Sequence, residues 1–265
     1  MKKLSRKSLV AIALVVAIGA SLAIGGTLAY FTDTTDAKTN TFTVGGVDIT
    51  LTEPKWDADD SDKILTPGTS YDKDPTIKVE EGSQDAYIYF GIDMNKYVSL
   101  VNLMGVDAYK NHIGGLTGDY PGFGAFMTNM LNNTNLRIAV VDRWFTGIKH
   151  PELEIVNVAA LTAELQKIGT ADQPTTVEIV LGVKEPKSAT EAYTLFTAFG
   201  MPDTVTQSMM DGDDAYYVGE GESRHSASNF NTDAANFNMT ITGYAVQAEG
   251  FDSVQAAWDA TFAAE

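Results

Sequence analysis

The sequence predicts a mainly β protein: a jelly-roll-like antiparallel β-sandwich with a few inserted helices and a short C-terminal helix. Three observations carry that expectation. Apolar and polar residues alternate at period two in several separated stretches. Turn-rich segments join those stretches, with no regular alternation of strand and helix. The 265 residues are 44% hydrophobic and 20% charged, so a core can be buried although the chain holds no cysteine.

In chain order, the first feature is a leader. Residues 2–7 (KKLSRK) are basic, Leu9 to Ile24 form an apolar run, and small residues follow at Gly25, Gly26, Thr27 and Ala29. That order is the order of a secretory signal peptide over 1–29, with Thr27-Leu28-Ala29 as a small-x-small site and the cut falling at Ala29/Tyr30 or Tyr30/Phe31. A retained anchor is the alternative reading, because counting on to Tyr30 approaches the roughly 20 residues of a spanning helix. Residues 30–265 then form a single domain, opening with an N-terminal segment over 30–52.

Strand patterns follow. Val47, Ile49 and Leu51 alternate with Asp48, Thr50 and Thr52, and the same pattern returns at Val177, Ile179, Leu181 and Val183 and at Phe237, Met239, Ile241 and Ala245. Thr76 to Glu80, Ala86 to Asp93 and Leu136 to Phe145 are further expected strands. The stretch 102–133 is rich in Gly, Asn and Met without a clean period and reads as a long surface loop or lid.

Helices are expected in three places. Ser188 and Glu191 form a capping-box pair ahead of Ala192, Leu195, Phe196 and Phe199, with Gly200 as the stop. Ala159 to Ile168 places Leu161, Leu165 and Ile168 on one side. Asp252 precedes Val254, Ala257, Trp258 and Phe262, whose spacing makes a terminal apolar face that docks.

Composition excludes whole classes of function. Without cysteine there is no disulfide framework, thiolate zinc site, cysteine nucleophile or lipidated N-terminal cysteine. The formal net charge is −17, and Lys2, Lys3, Arg6 and Lys7 all precede the first acid, Asp33, so loss of the leader makes the chain more acidic still. Such a chain repels nucleic acid and anionic lipid, leaving the membrane as a transient partner through the uncleaved leader.

No catalytic, cofactor or metal residue is assigned. His112, His150 and His225 stand apart, and none belongs to a His-Glu-x-x-His helix. Ser226 and Ser228 flank no Gly-x-Ser-x-Gly elbow, and no phosphate-binding glycine loop occurs. Asp57, Asp59, Asp60 and Asp62, and again Asp211, Asp213 and Asp214, cluster without the glycine and closing glutamate of an EF-hand, so solvated acidic loops are expected over calcium sites. Trp144, Trp258, Tyr87 and Tyr89 are expected in the core over a carbohydrate groove.

Gly26-Thr27-Leu28-Ala29-Tyr30-Phe31-Thr32-Asp33, running into Asn40-Thr41-Phe42-Thr43-Val44-Gly45-Gly46-Val47-Asp48-Ile49, resembles the N-terminus of the TasA/camelysin family. Leu65-Thr66-Pro67-Gly68, Lys73-Asp74-Pro75-Thr76-Ile77, Tyr87-Ile88-Tyr89 and the end Ala245 to Phe251 with Ala256-Ala257-Trp258 fit the same resemblance, which leaves about 100–230 unmatched. The resemblance implies an exported jelly-roll subunit of Gram-positive bacteria, processed by a SipW-type signal peptidase. It implies polymerisation into extracellular biofilm-matrix fibres, with itself and an accessory matrix protein as partners. The freed N-terminal segment would serve as a donor strand, offering Phe31, Phe42 and Val44 to a neighbour's groove, a mode that satisfies an open sheet edge. The expected function is therefore structural and not enzymatic, secreted to the matrix or cell surface. A camelysin-like extracellular metallopeptidase and a monomeric adhesin or carbohydrate-binding module are the alternatives.

Overall fold

The computed structural model describes residues 32–35, 46–57, 64–97, 99–100, 103–104, 107, 141–167, 170–211, 215–217, 224–226 and 237–262. Side chains are described throughout these except at 32–35, 215–217 and 224–226. The expected leader over 1–29 and the segments around Phe42 and Val44 lie outside the described residues.

The architecture is an antiparallel β-sandwich, as the alternating sequence patterns predict. In chain order the strands are β1 (Thr32–Thr35), β2 (Ile49–Thr52), β3 (Ser70–Asp72), β4 (Thr76–Val79), β5 (Ala86–Met94), β6 (Phe145–Thr146), β7 (Leu153–Ile155), β8 (Val177–Val183), β9 (Ala192–Thr194), β10 (Ala198–Gly200), β11 (Ala215–Tyr217), β12 (Arg224–Ser226) and β13 (Met239–Gln247). The helices are α1 (Pro54–Asp57), α2 (Val158–Leu165), α3 (Gln207–Asp211) and α4 (Val254–Thr261). One sheet runs β1-β13-β5-β8-β7; two three-stranded sheets run β2-β4-β9 and β3-β10-β6, and β11 and β12 form a hairpin pair.

The inner face of the five-stranded sheet supplies Ile88, Phe90, Ile92, Leu181, Val183, Ile241 and Ala245 to a core shared with Ile49, Leu51, Ile77 and Val79 of the facing sheet. Phe145, Phe196 and Phe199 close its far end, with ring centroids 4.9–5.1 Å from Phe145. The strand alternation expected at Val47, Ile49 and Leu51 is real: all three are buried, and Asp48 and Thr50 are half-exposed. The period-two rule holds because each of these strands has one face on the core.

The outer face of the same sheet is also covered. Tyr87, Tyr89, Val180 and Val246 pack with Val156 under Val254, Ala257 and Trp258 of α4. The helix starts where the Ser253 side chain accepts from the Ala256 N–H, so Ser253 is the cap and Asp252 lies one residue before it. The Trp258 ring lies 5.1 Å from that of Tyr89, tilted by 52°, and the Tyr89 hydroxyl donates to the Val254 carbonyl at 3.0 Å. The terminal helix is docked, as its apolar spacing predicts.

Two corners are fixed by buried charge. Lys73 donates to both oxygens of Glu53 at 2.8 and 2.6 Å and lies 4.5 Å from the Trp56 ring, so burial leaves neither charge unpaired. Asp107 is buried, bonded to Arg143 and to the Thr204 hydroxyl at 2.6 Å.

Three expectations are corrected. The helix expected from Ser188 to Phe199 is instead β9 and β10. The Ser188–Glu191 pair does form, the Ser188 N–H donating to Glu191 Oε2 at 2.7 Å, but it closes a turn. Thr190 then adopts φ +71°, and the chain pairs with β4, β3 and β6 instead of coiling. Of the strand expected over Leu136 to Phe145, residues 136–140 lie outside the described residues; in the described part Asp142 to Trp144 form a turn and only Phe145 is in a strand, Phe145–Thr146. Within the 102–133 stretch, Leu103, Met104 and Asp107 are helical and buried, not loop surface; the described part of this stretch ends there.

Trp258→Ala is expected to destabilise the fold by about 3–5 kcal/mol, the usual cost of emptying a large aromatic site. The check is the urea unfolding midpoint with intrinsic fluorescence. A loss under about 1 kcal/mol would show that α4 contributes little to holding the sheet.

Candidate functional site

The edge of the five-stranded sheet nearest the N-terminus is the most distinctive surface. Strand β5 pairs with β13 along all nine residues, Ala86 opposite Gln247 through Met94 opposite Met239. Strand β1 covers the other side of β13 along four residues: Thr32 opposite Val246, Asp33 opposite Ala245, Thr34 opposite Tyr244 and Thr35 opposite Gly243. A four-residue polar strand (TDTT) is thus the outermost member of a sheet whose centre is apolar on both faces.

The β13 residues facing β1 alternate in kind. Ala245 belongs to the inner core, and Tyr244 and Val246 lie on the outer face with the α4 cluster. Tyr244 meets Trp258 edge-on at 5.6 Å and Phe262 at 5.5 Å. Its hydroxyl donates to Glu178 Oε1 of β8 at 2.9 Å, spanning the intervening strand β5. The span is possible because Gly91 lies beneath: a Cβ there would sit 2.1 Å from Glu178 Oε1 and 2.8 Å from the Tyr244 ring. Asn157 holds the same stretch of β8, its amide donating to the Glu178 carbonyl and its oxygen accepting from the Val180 N–H, both at 2.9 Å.

Burial pushes the Glu178 carboxyl above the usual range, opposed by the Tyr244 hydrogen bond and reinforced by Asp93 and Glu164. A raised carboxyl binds its proton more tightly folded than unfolded. The stability it adds is therefore complete below the unfolded value, 4.5, and is lost as pH rises through the folded value. Glu178→Gln is expected to be more stable than the natural chain at pH 7 and to flatten the fall in stability above pH 4.5, checked by urea titrations at several pH values. Equal slopes in both proteins would contradict the assignment.

The other singled-out residues are dispersed. His150 is buried and its Nε2 lies 2.5 Å from Asp142 Oδ1. His225 and Ser226 are on β12, and His112 and Ser228 lie outside the described residues. Asp57 ends α1, and Asp211 ends α3, where both its oxygens accept from the Gln207 amide at 2.9 and 3.0 Å; Asp59, Asp60, Asp62, Asp213 and Asp214 lie outside. Among the described residues no group of three or more His, Cys, Asp or Glu is placed to hold a metal ion. Trp144, Trp258, Tyr87 and Tyr89 are all buried, as expected of core aromatics. Thr27, Ala29, Tyr30, Phe31, Phe42 and Val44 lie outside the described residues, so the part of the N-terminal segment that is placed is Thr32–Thr35.

The β13 positions that receive β1, and the Glu178–Tyr244 tie behind them, were not singled out as a site by sequence reasoning. The period-two pattern marked β13 as a strand but carries no information on which neighbour it takes.

Among known families, residues 3–86 match the model described as camelysin metallo-endopeptidase. The match runs from near the start of the sequence through β1–β4 to the first residue of β5. No curated protein and no solved structure matches the chain.

Proposed function

We propose, for a chain whose residues 3–86 match the camelysin model, export and a structural role of the TasA/camelysin kind in the extracellular matrix or at the cell surface. Copies join by exchange of the N-terminal edge strand. The observation that carries this reading is β1 itself: a polar strand near the chain start that pairs with four of the nine β13 residues and has β13 as its only strand partner among the described residues.

Exchange of such a strand costs little. The same backbone pairs form whether Thr32–Thr35 come from the same copy or the next one, so the enthalpy nearly cancels and concentration decides. The incoming segment satisfies the row of N–H and C=O groups along β13, and the residues around it, Phe31, Phe42 and Val44, are the apolar anchors proposed for a neighbour's groove. Net charge of −17 keeps separate subunits soluble until they pair. In this account a SipW-type signal peptidase removes the leader near Ala29 to Phe31 and releases the strand, and an accessory matrix protein is a further partner.

The test is negative-stain electron microscopy with size-exclusion chromatography on two forms of the chain, starting at Tyr30 and at Val47. Filaments from the first and folded monomers from the second are expected. If the Val47 form assembles equally well, the strand is not the link.

The family description favours one other reading, a metal-dependent extracellular peptidase. The structural reading predicts no cleavage of a casein substrate by the exported chain with zinc or calcium present. Turnover abolished by a chelator would replace it.

A further inference from the structure

On the outer face of the five-stranded sheet the register sets acid against acid. Glu178 of β8 is directly opposite Asp93 of β5, which has Thr240 of β13 on its other side. Like charges placed opposite each other across strands destabilise the pairing. Among the described residues, the charged groups that act on the Glu178 carboxyl are Asp93 and, from α2, Glu164, both acids. Strand β13 meets it with the Tyr244 hydroxyl at 2.9 Å, and α4 meets Tyr244 with the Trp258 and Phe262 rings.

Three rows of cross-strand neighbours explain how this contact is reached. Asp93 with Glu178 forms one row, Thr242 with Gly91 and Val180 the next on the same face, and Tyr244 with Tyr89 the third. The middle row has no side chain at Gly91, so the carboxyl leans across it, out of its own row, to the Tyr244 hydroxyl. That position suits a neutral carboxyl. Ionised in the same place, the group carries a partly desolvated charge against two acids, with one hydroxyl to offset them. Tyr244 is also the residue of β13 that stands opposite Thr34 of β1, so whatever holds or frees its side chain acts within the stretch on which the edge strand is seated.

We propose that Glu178 and Tyr244 form a proton-dependent latch on the edge strand. With Glu178 protonated, Tyr244 is held and β13 presents a fixed ladder to Thr32–Thr35. Ionisation turns the carboxylate off Gly91 toward solvent, frees the Tyr244 hydroxyl and loosens the pairing of β1. The inference deepens the edge-strand reading given above and rests on it for its bearing on assembly; the latch itself acts within one copy.

The test is hydrogen exchange of the exported chain at a series of pH values, corrected for intrinsic rates and read by mass spectrometry at Thr32–Thr35 and Gly243–Val246. The Lys184 N–H, which donates to the Glu152 carbonyl at 2.9 Å near the opposite edge, is the internal reference. Protection of the β1 pairing is expected to be complete below pH 4.5 and to fall as pH rises through the folded value of the carboxyl. The loss is about tenfold for each unit that separates the pKa of the latched and released carboxyl, with Lys184 unchanged. Glu178→Gln, which keeps an acceptor oxygen and cannot ionise, is expected to hold protection flat across the series, and Tyr244→Phe to give low protection throughout. A fall of equal size at Lys184 is a loss of global stability and overturns the latch, as does an undiminished pH dependence in Glu178→Gln. Either result leaves exchange between copies standing, because that is read from the forms starting at Tyr30 and Val47.

Discussion

Everything in this fold is hung on the ladder between β5 and β13. Nine consecutive pairs join segments far apart in the chain, Ala86–Met94 and Met239–Gln247. Closing so long a loop carries an entropic cost that local contacts do not repay, so the ladder must be stabilised on both faces. The inner face buries Ile88, Phe90, Ile92, Ile241 and Ala245 in the sandwich core, and the outer face buries Tyr87, Tyr89 and Val246 beneath α4. Strand β1 has a place to bind only because this ladder sets β13 at that position.

Covering both faces leaves the two edges, at β1 and β7, as the sides on which the sheet has no further strand among the described residues. It also imposes a cost at the point where polar groups cross the outer face. Glu178 reaches over Gly91 to Tyr244 with no basic partner among the causes of its shift, so the tie across three strands is held by one hydroxyl against burial and two neighbouring acids. The structure accepts that cost within the stretch of β13 that β1 pairs with, which β5 and β8 separate from the opposite edge at β7.

How much of this was legible in the sequence depended on element length. Strands of four or more residues with one buried face, β2, β4, β8 and β13, announced themselves by alternation, and the long β5 by its aromatic and branched residues. Helices α2 and α4 followed from apolar spacing. Strands of two or three residues, β3, β6, β7, β9 and β10, carry too few residues to show a period. The Ser188–Glu191 pair misled because the same hydrogen bond can start a helix or close a turn. What decided between them was the supply of partners from Pro75, Thr146 and Thr69, whose carbonyls accept from Leu195, Thr197 and Met201 at 2.8–2.9 Å. No local pattern contains that information. At the candidate edge, the motif around Phe31 and Thr32 drew notice to the segment that includes Thr32–Thr35. The register of Asp33 against Ala245 needed the fold.

The central claim is that β1 leaves its own β13 for that of another copy. The chain has no cysteine, so one engineered pair gives a clean lock. Asp33 and Ala245 are direct cross-strand partners, and the Cα separation of about 4.5–5.5 Å in such pairs suits a disulfide. The measurement is sedimentation and electron microscopy of Asp33→Cys/Ala245→Cys, oxidised as a dilute monomer and then concentrated with and without reductant. The account predicts monomers while the disulfide holds and filaments once it is reduced. Filaments from the oxidised monomer would contradict it, because a strand bonded to its own sheet cannot be lent to a neighbour.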